Sequence, residues 1–485
     1  MTDHLLVIDE GTTSTRAMLF TPAGVCIASE AAELTQSYPR PGWVEHDAGE
    51  IWRSTARVAA AMVAHAGGPR HIAAIGITNQ RETVIFWDKH TGEPLAPAIV
   101  WQDRRTADAC AGLREAGHEP LVQRRTGLLL DPYFSGSKIG WAMREWPQLA
   151  KAGDRLAIGT VDSWLAWKLT GAHVTDATNA SRTALMSLEG GWDDGLIALF
   201  GVPRAALPEI VDSAGALGHT TLFGGRIAVT GMSGDQQAAA IGQACLAPGE
   251  TKATFGTGAF ILTHTGAEPP VSSHRLLATV AWQLGGTRAY ALEGSVFVAG
   301  SLVKWLRDGL GLIGSAAETA ALAASVPDSG GAYLIPALSG LGAPWWKPDA
   351  RAALTGMSFA TTKAHIVRAA LEAQAYQAHD LQRAFAADGA DWASLRIDGG
   401  MVANDWLAQD LADILALPVE RPKFAETTAL GAAMLAGVGC GLFRDLVEAS
   451  AMRGEVECFE AKLEDDIRRT RLAGWSRAVT SVVES

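Results

Sequence analysis

The spacing of apolar and polar positions changes period several times along the chain. "LLVID" and "TRAMLF" are short apolar runs on either side of a polar turn, and they predict a pair of strands that "GVCIASEAAE" extends. "AGEIWRSTARVAAAMVAH" then shifts to helical spacing, which predicts a helix over 48–65, and "HIAAIGIT" and "TVIFWD" return to strand. Such alternation implies an α/β layer architecture.

Further along, "RIAVTGMSGDQQAAAIGQA" reads as strand, tight loop and a helix beginning near Ser233. Ser233 and Gln236 have the spacing of a capping box. "ETKATFGTGAFILTHTG" looks like a second version of the opening, with Gly256-Thr257-Gly258 between two apolar strands, and hints at an internal duplication. A Pro/Gly break at "LAPGE" divides the chain into candidate domains 1–245 and 246–485. "SLRIDGGMVANDWLAQDLADIL" gives another strand, turn and helix, and "ETTALGAAMLAG" is a small-residue helix suited to close packing. Glycine-bearing turns at 9–15, 256–258 and 398–400 could form phosphate-facing walls of a cleft between two α/β domains. The chain has no Gly-x-x-x-x-Gly-Lys-Ser/Thr P-loop, and no Gly-x-Gly-x-x-Gly dinucleotide turn is expected.

The first of these turns carries the densest chemistry. Asp9-Glu10-Gly11 is an ordinary hairpin signal, but Thr12, Thr13, Ser14 and Thr15 followed by Arg16 offer more hydrogen-bonding capacity than a turn needs. By itself the segment leaves both a plain hairpin and a phosphate-holding loop open.

Composition narrows the partners. With 485 residues, 48% hydrophobic and 19% charged, the chain can bury two cores. A net charge of −12 argues against nucleic acid or an anionic membrane surface, but not against an anionic small molecule held by backbone amides and a metal. Cys26, Cys110, Cys245, Cys440 and Cys458 are scattered, with no Cys-x-x-Cys, so neither a zinc site nor a disulfide framework is expected. The opening Met-Thr-Asp-His lacks the order of a signal peptide, and no apolar run is long enough to span a bilayer. A cytoplasmic protein with reduced thiols is the expectation.

Taken in order, "GTTSTRA", "YPRPGWVEHD", "AAIGITNQRET", "AIVWQDRRT", "TGLLLDPYFSGSKIGW", "VTDATNASRT", "GDQQAA", "FGTGAF", "ALEGSVFVAG", "GLGAPWW", "DGGMVAND" and "TALGAA" resemble the FGGY carbohydrate kinases, and among them the glycerol-phosphorylating branch. The resemblance covers most of the chain. It implies two actin-like, ribonuclease H-like domains flanking a cleft, with ATP and Mg²⁺ as cofactors and glycerol as the acceptor. It also implies a possible homo-dimer or tetramer.

Residue by residue, the resemblance assigns Asp9 to the metal. Thr12, Thr13, Ser14 and Arg16 go to the phosphates, and Asp235 becomes the general base. Arg81, Glu82, Trp101, Tyr133, Gln236 and Phe260 join Asp235 around the polyol. Thr257, Gly300, Lys304, Gly400 and Asn404 fall on the nucleotide side. The chemistry is coherent, because each polyol hydroxyl is both donor and acceptor, and an adjacent guanidinium and carboxylate supply both partners. Read without the resemblance, Arg81-Glu82 would be an ordinary surface pair, and Asp235 a residue that merely favours a helix dipole.

Several positions depart from the family pattern. Glu10 replaces a Gln, so it is expected to face away from the phosphates or to be paired. Lys304 and Asp405 also depart, in the nucleotide region. The stretch "TTLFGGRIAVTG" has lost the lysine of a fructose 1,6-bisphosphate loop and keeps only Arg226, so no inhibition by that ligand is expected. His219 is expected at the surface. Competing readings are an FGGY kinase for erythritol, dihydroxyacetone or xylulose, and an actin- or Hsp70-like ATPase switch.

Overall fold

The computed structural model describes residues 4–484; residues 1–3, on which part of the leader reading falls, lie outside it. The opening segment folds as read: His4–Glu10 and Ser14–Phe20 form an antiparallel hairpin, with Asp9 opposite Arg16. The helix Ala48–His65 coincides with the predicted span. Asp47 caps it through Gly49 N, and Ile51, Val58, Met62 and Val63 lie on its buried face.

Two sheets form the frame. In the first, the strand order is Ala214–Thr220, Ile227–Gly234, Ile72–Asn79, His4–Glu10, Ser14–Phe20 and Cys26–Glu33. The second runs Leu277–Leu284, Thr287–Val296, Ala259–Gly266, Glu250–Phe255, Ser394–Asp398, Val419–Pro422 and Val456–Phe459. Each sheet has the same plan at its centre. A founding strand (His4–Glu10 or Glu250–Phe255) pairs antiparallel with its successor and parallel with a strand reached by a long crossover. The shared plan is what an internal duplication would leave behind.

A third, four-stranded sheet takes Glu45–His46 from before Ile72–Asn79 and Ala98–Ile99, Val84–Asp88 and Leu156–Thr160 from after it, in that order across the sheet. The link between Asn79 and Val84 therefore spans the seam between two sheets, which places Arg81 and Glu82 at a junction. Trp101 stands two residues beyond the strand Ala98–Ile99.

Two features differ from the linear reading. The small-residue helix Thr427–Gly439, which follows the second sheet's strands in the chain, packs against the first sheet and against the helix Asp235–Gly242. Its contacts are backbone-close: a Cβ on Gly431 would lie 1.8 Å from the Ala238 carbonyl oxygen, and one on Gly242 would lie 2.0 Å from that of Thr427. The second is a Gly-x-Gly-x-x-Gly run that does occur, at residues 309–314. It follows the helix Gly300–Asp308 rather than a strand and opens no helix at its third glycine, so it is not a dinucleotide turn.

Candidate active site

The founding hairpin separates two neighbouring acids by strand alternation. Asp9 meets Arg16 (Nη2 to Oδ2, 2.9 Å), and the same guanidinium reaches Glu426 (Nη1 to Oε2, 2.9 Å). Burial raises the Asp9 carboxyl to about 6 against the pull of Arg16, with the nearby charges of Glu426 and Asp235 adding to the rise. Arg16 is thus committed to two carboxylates here instead of pointing unpaired at a phosphate. Glu10 points to the opposite face, where its Oε2 accepts from Thr55 Oγ1 at 2.9 Å, and burial pushes its carboxyl up to about 8. It is both turned away and paired. In the turn, Thr12 Oγ1 accepts from Trp101 Nε1 at 2.9 Å, while Thr13 is exposed and Ser14 half-buried.

Arg81 and Glu82 are not a surface pair. Both are buried, and Glu82 adopts φ 63°, a left-handed conformation uncommon for a non-glycine residue. Two residues not singled out from sequence complete their setting. Glu293, on the strand Thr287–Val296 of the second sheet, accepts from Arg81 Nη1 at 2.6 Å and from Arg182 Nη2 at 3.0 Å. Arg182 Nε also donates to Glu82 at 2.7 Å. Burial alone would raise Glu293, but Arg182 and Arg81 outweigh it and hold it at about 2. Glu82 keeps a raised pKa because burial outweighs the pull of Arg182 and Arg81. Both missed residues sit within quoted motifs, "NASRT" and "ALEGS", as single charges in otherwise apolar or small-residue surroundings. That was the signal available.

The Tyr133 hydroxyl lies 3.5 Å from Arg81 Nη2, and its ring meets Trp101 edge-on at 5.6 Å. Lys138 Nζ donates to the Tyr133 carbonyl at 2.5 Å, and burial lowers its pKa to about 8. Phe260 stands on Ala259–Gly266 of the second sheet, paired with Thr254 and Ser295 on the neighbouring strands, and makes no ring contact with Trp101 among the described residues.

Asp235 opens the helix Asp235–Gly242, but no capping box precedes it. The N-cap is Gly234, whose N–H donates to Thr178 Oγ1 at 2.9 Å. The Ser233 hydroxyl bonds the Gly234 carbonyl at 3.3 Å, and the Gln236 amide oxygen accepts from Lys252 instead. The side chains at 233 and 236 therefore have other partners than the helix terminus. Asp235 Oδ1 accepts from Gln236 N at 2.7 Å and lies 3.2 Å from Arg81 Nε. With its side chain 34% exposed, Asp235 is the solvent-accessible carboxylate of this cluster, whereas Glu82 and Glu293 are buried.

On the second sheet, Gly256-Thr257-Gly258 turns against the start of the helix Gly300–Asp308. Gly300 N donates to Gly256 O at 2.8 Å, and Ser301 N to Thr257 O at 3.1 Å. A Cβ at Gly300 would sit 2.5 Å from Gly256 O, so this approach requires glycine. Lys304 is exposed one turn along that helix. Gly400 starts the short turn Gly400–Ala403. Asn404 caps the next helix through Leu407 N (3.2 Å) and donates to Thr319 Oγ1 (3.1 Å), so its side chain is occupied structurally. Asp405 pairs with Arg421 at 2.6 Å. Asp398 gathers Thr254, Thr427 (2.6 Å) and Gln243 (3.1 Å) beside the founding strand Glu250–Phe255.

No group of three or more acidic, His or Cys side chains forms a metal cage among the described residues. Mg²⁺ keeps waters and binds through one or two carboxylates plus phosphate oxygens, so its binding does not call for such a cage. Asp9 lies near the end of the strand His4–Glu10, beside the hydroxyl-rich turn.

The chain matches the N-terminal domain of the FGGY family of carbohydrate kinases over residues 4–242 and the C-terminal domain over residues 251–440. It is 54% identical to the glycerol kinase of Methylobacterium nodulans, covering 99% of this chain and 98% of that one. It is 52% identical to the glycerol kinase of Rhodospirillum centenum, covering 98% and 97%. Among solved structures, the glycerol kinase of Plasmodium falciparum with ADP superposes with a TM-score of 0.94 at 35% identity, over 99% of this chain and 98% of that one. With both of its domains matched, the chain belongs to the FGGY family of carbohydrate kinases.

Proposed function

We infer that this chain transfers the γ-phosphoryl group of ATP to glycerol, giving sn-glycerol 3-phosphate and ADP. The carrying observation is Asp235, an accessible carboxylate held 3.2 Å from the buried guanidinium of Arg81 at the seam of the two domains. In the proposed reaction an alcohol oxygen attacks the γ-phosphorus in line as the bond to the β-phosphate oxygen breaks. Asp235 accepts the hydroxyl proton and ADP leaves.

Arg81, Glu82 and Tyr133 would bind the remaining hydroxyls, with Gln236 donating to the reacting one. Trp101 and Phe260 would face the carbon skeleton from opposite walls. Thr12, Thr13, Ser14 and Thr257 would meet the phosphates, with Arg16 nearby through Asp9. Gly300, Lys304, Gly400 and Asn404 would border the nucleotide. Asp9 would hold the Mg²⁺ that accompanies ATP and neutralises its phosphate charge. Positioning and charge stabilisation supply most of what phosphoryl transfer requires.

A cytoplasmic location is part of this proposal, supported by five cysteines that are all free thiols. No described helix is long and apolar enough to cross a membrane. A homo-oligomer is also proposed, and light scattering of the purified chain would give its mass directly.

The decisive test is ADP release from Mg-ATP with glycerol, erythritol, dihydroxyacetone and xylulose, for wild type and Asp235→Asn. Glycerol should give the highest kcat/KM, and the variant should lose roughly a thousandfold or more of it while still binding ATP. Turnover of another polyol alone would discard glycerol. Polyol-independent hydrolysis unchanged in the variant would discard the kinase assignment.

A further inference from the structure

Lys252 stands on the founding strand of the second sheet, fully buried, and its ammonium donates to the side-chain oxygen of Gln236 on the helix that begins with Asp235. The bond therefore joins elements of the two domains. Among the described residues no carboxylate lies within 4.0 Å of the ammonium, although Asp398, Asp235 and Glu293 attract it from farther off and Arg81 opposes it. Burial lowers its pKa. A buried ammonium paired only with a neutral amide is a poor way to add stability, since a methionine of similar length would avoid the desolvation cost. The charge calls for another explanation.

An ammonium has three donors and no acceptor, so only the oxygen end of an amide can face it. The Gln236 amide is thereby fixed with its NH₂ group directed away from Lys252. The residue next to Gln236 is the proposed base. A hydroxyl that gives its proton to Asp235 can use its oxygen only as an acceptor, so its second partner must be a donor. We propose that Lys252 is a positioning residue that locks the Gln236 amide in the orientation able to donate to the reacting hydroxyl, from a strand of the opposite domain. The assignment rests on the kinase reading and on Gln236 as a polyol contact.

The test uses the full-length protein, with steady-state kinetics in glycerol and Mg-ATP alongside thermal unfolding. Lys252→Met should raise the KM for glycerol about tenfold or more, the loss of one well-placed hydrogen bond, and leave the KM for ATP within about twofold. Its melting temperature should be equal or higher. Gln236→Met should show a similar loss, and the double variant should lose no more than the worse single one, because both remove the same contact. Gln236→Glu provides a check that does not disturb Lys252. It keeps an acceptor for the ammonium and hence the fold, but turns the outward donor into an acceptor, so glycerol KM should again rise about tenfold or more.

The proposal is overturned if Lys252→Met and Gln236→Glu both bind glycerol like wild type. It is also overturned if the losses of Lys252→Met and Gln236→Met multiply, or if ATP and glycerol KM rise together with a fall in melting temperature. Normal glycerol KM in Gln236→Met, with Asp235→Asn still inactive, would remove this inference and leave the kinase reading standing. Failure of the wild type to phosphorylate glycerol would remove the reading itself.

Discussion

Glu10 and Glu293 are both fully buried glutamates, yet their surroundings push them in opposite directions. Glu10 has only hydroxyl partners, Thr15 and Thr55, and no cation, so burial raises its folded pKa from 4.5 to about 8. The folded state then holds a proton that the unfolded state releases above pH 4.5, and the contribution to stability is lost as pH rises towards 8. Glu10→Gln removes this titration. Thermal unfolding at pH 5 and pH 8.5 should show a gain that is small at the lower pH and larger at the higher, on the order of 1–3 kcal/mol. An equal effect at both values would mean that Glu10 does not titrate in this range. Glu293 follows the reverse sign. Its folded pKa of about 2 lies below the ordinary 4.5, so its contribution is full above 4.5 and lost as pH falls towards 2. Glu293→Gln would leave Arg81 and Arg182 short of a buried counter-charge. A loss of roughly 3 kcal/mol at neutral pH is expected, together with a rise in glycerol KM as Arg81 loses its anchor. Chemical denaturation and initial-rate kinetics on one preparation would read both.

The helix Thr427–Gly439 shows why some elements were legible and others only half so. The opening hairpin, the helix 48–65 and the strand pair around Gly256-Thr257-Gly258 were all readable because their signals are local: alternation, helical spacing and turn residues close together in the chain. "TALGAA" gave a close-packing helix equally well, but not its partner, because that depends on a crossover between domains. The site divides in the same way. Asp9, Arg81, Glu82 and Asp235 stand in recognisable motifs, whereas Glu293 reaches Arg81 across 212 residues and Arg182 across 111, distances that no local period encodes. The expected capping box at Ser233 failed for a related reason: distant partners, Thr178 and Lys252, took up the side chains that would have formed it. At the crossing itself, Gly431→Ala would place a methyl 1.8 Å from the Ala238 carbonyl and force the two helices apart. The expected cost is about 3 kcal/mol. Because the displaced partner begins at Asp235, kcat should fall as well. A variant with wild-type melting temperature and kcat would show that the crossing tolerates a Cβ and that the backbone contact is looser than described.

At the scale of the whole molecule, the division at residue 245 expected from the sequence bears on what can fold alone. One face of the first sheet contributes Leu5, Val7, Met18 and Ala74 to a core whose other side is Ala429, Leu430, Ala432, Ala433, Met434, Leu435 and Ala436. The fit is tight enough that a Cβ on Gly76 would lie 2.3 Å from the Ala432 carbonyl oxygen. A fragment of residues 1–245 would therefore expose a broad apolar face that the intact chain covers with its own later helix. Such a fragment should aggregate or unfold without cooperativity when expressed alone. Fusing residues 423–455 to it through a flexible linker should restore a soluble, cooperatively melting unit, because the added piece supplies both the covering helix and the short segment around Met452 that backs Gly24. Circular dichroism melts and size-exclusion profiles of the two fragments make the comparison. If the shorter fragment melts cooperatively by itself, the helix is an accessory to the first domain. If only the fused one does, the folding unit of the first domain spans both ends of the chain. The helix Asp235–Gly242, which carries the proposed base and packs against the covering helix, would then owe its placement to a segment that begins nearly 200 residues later.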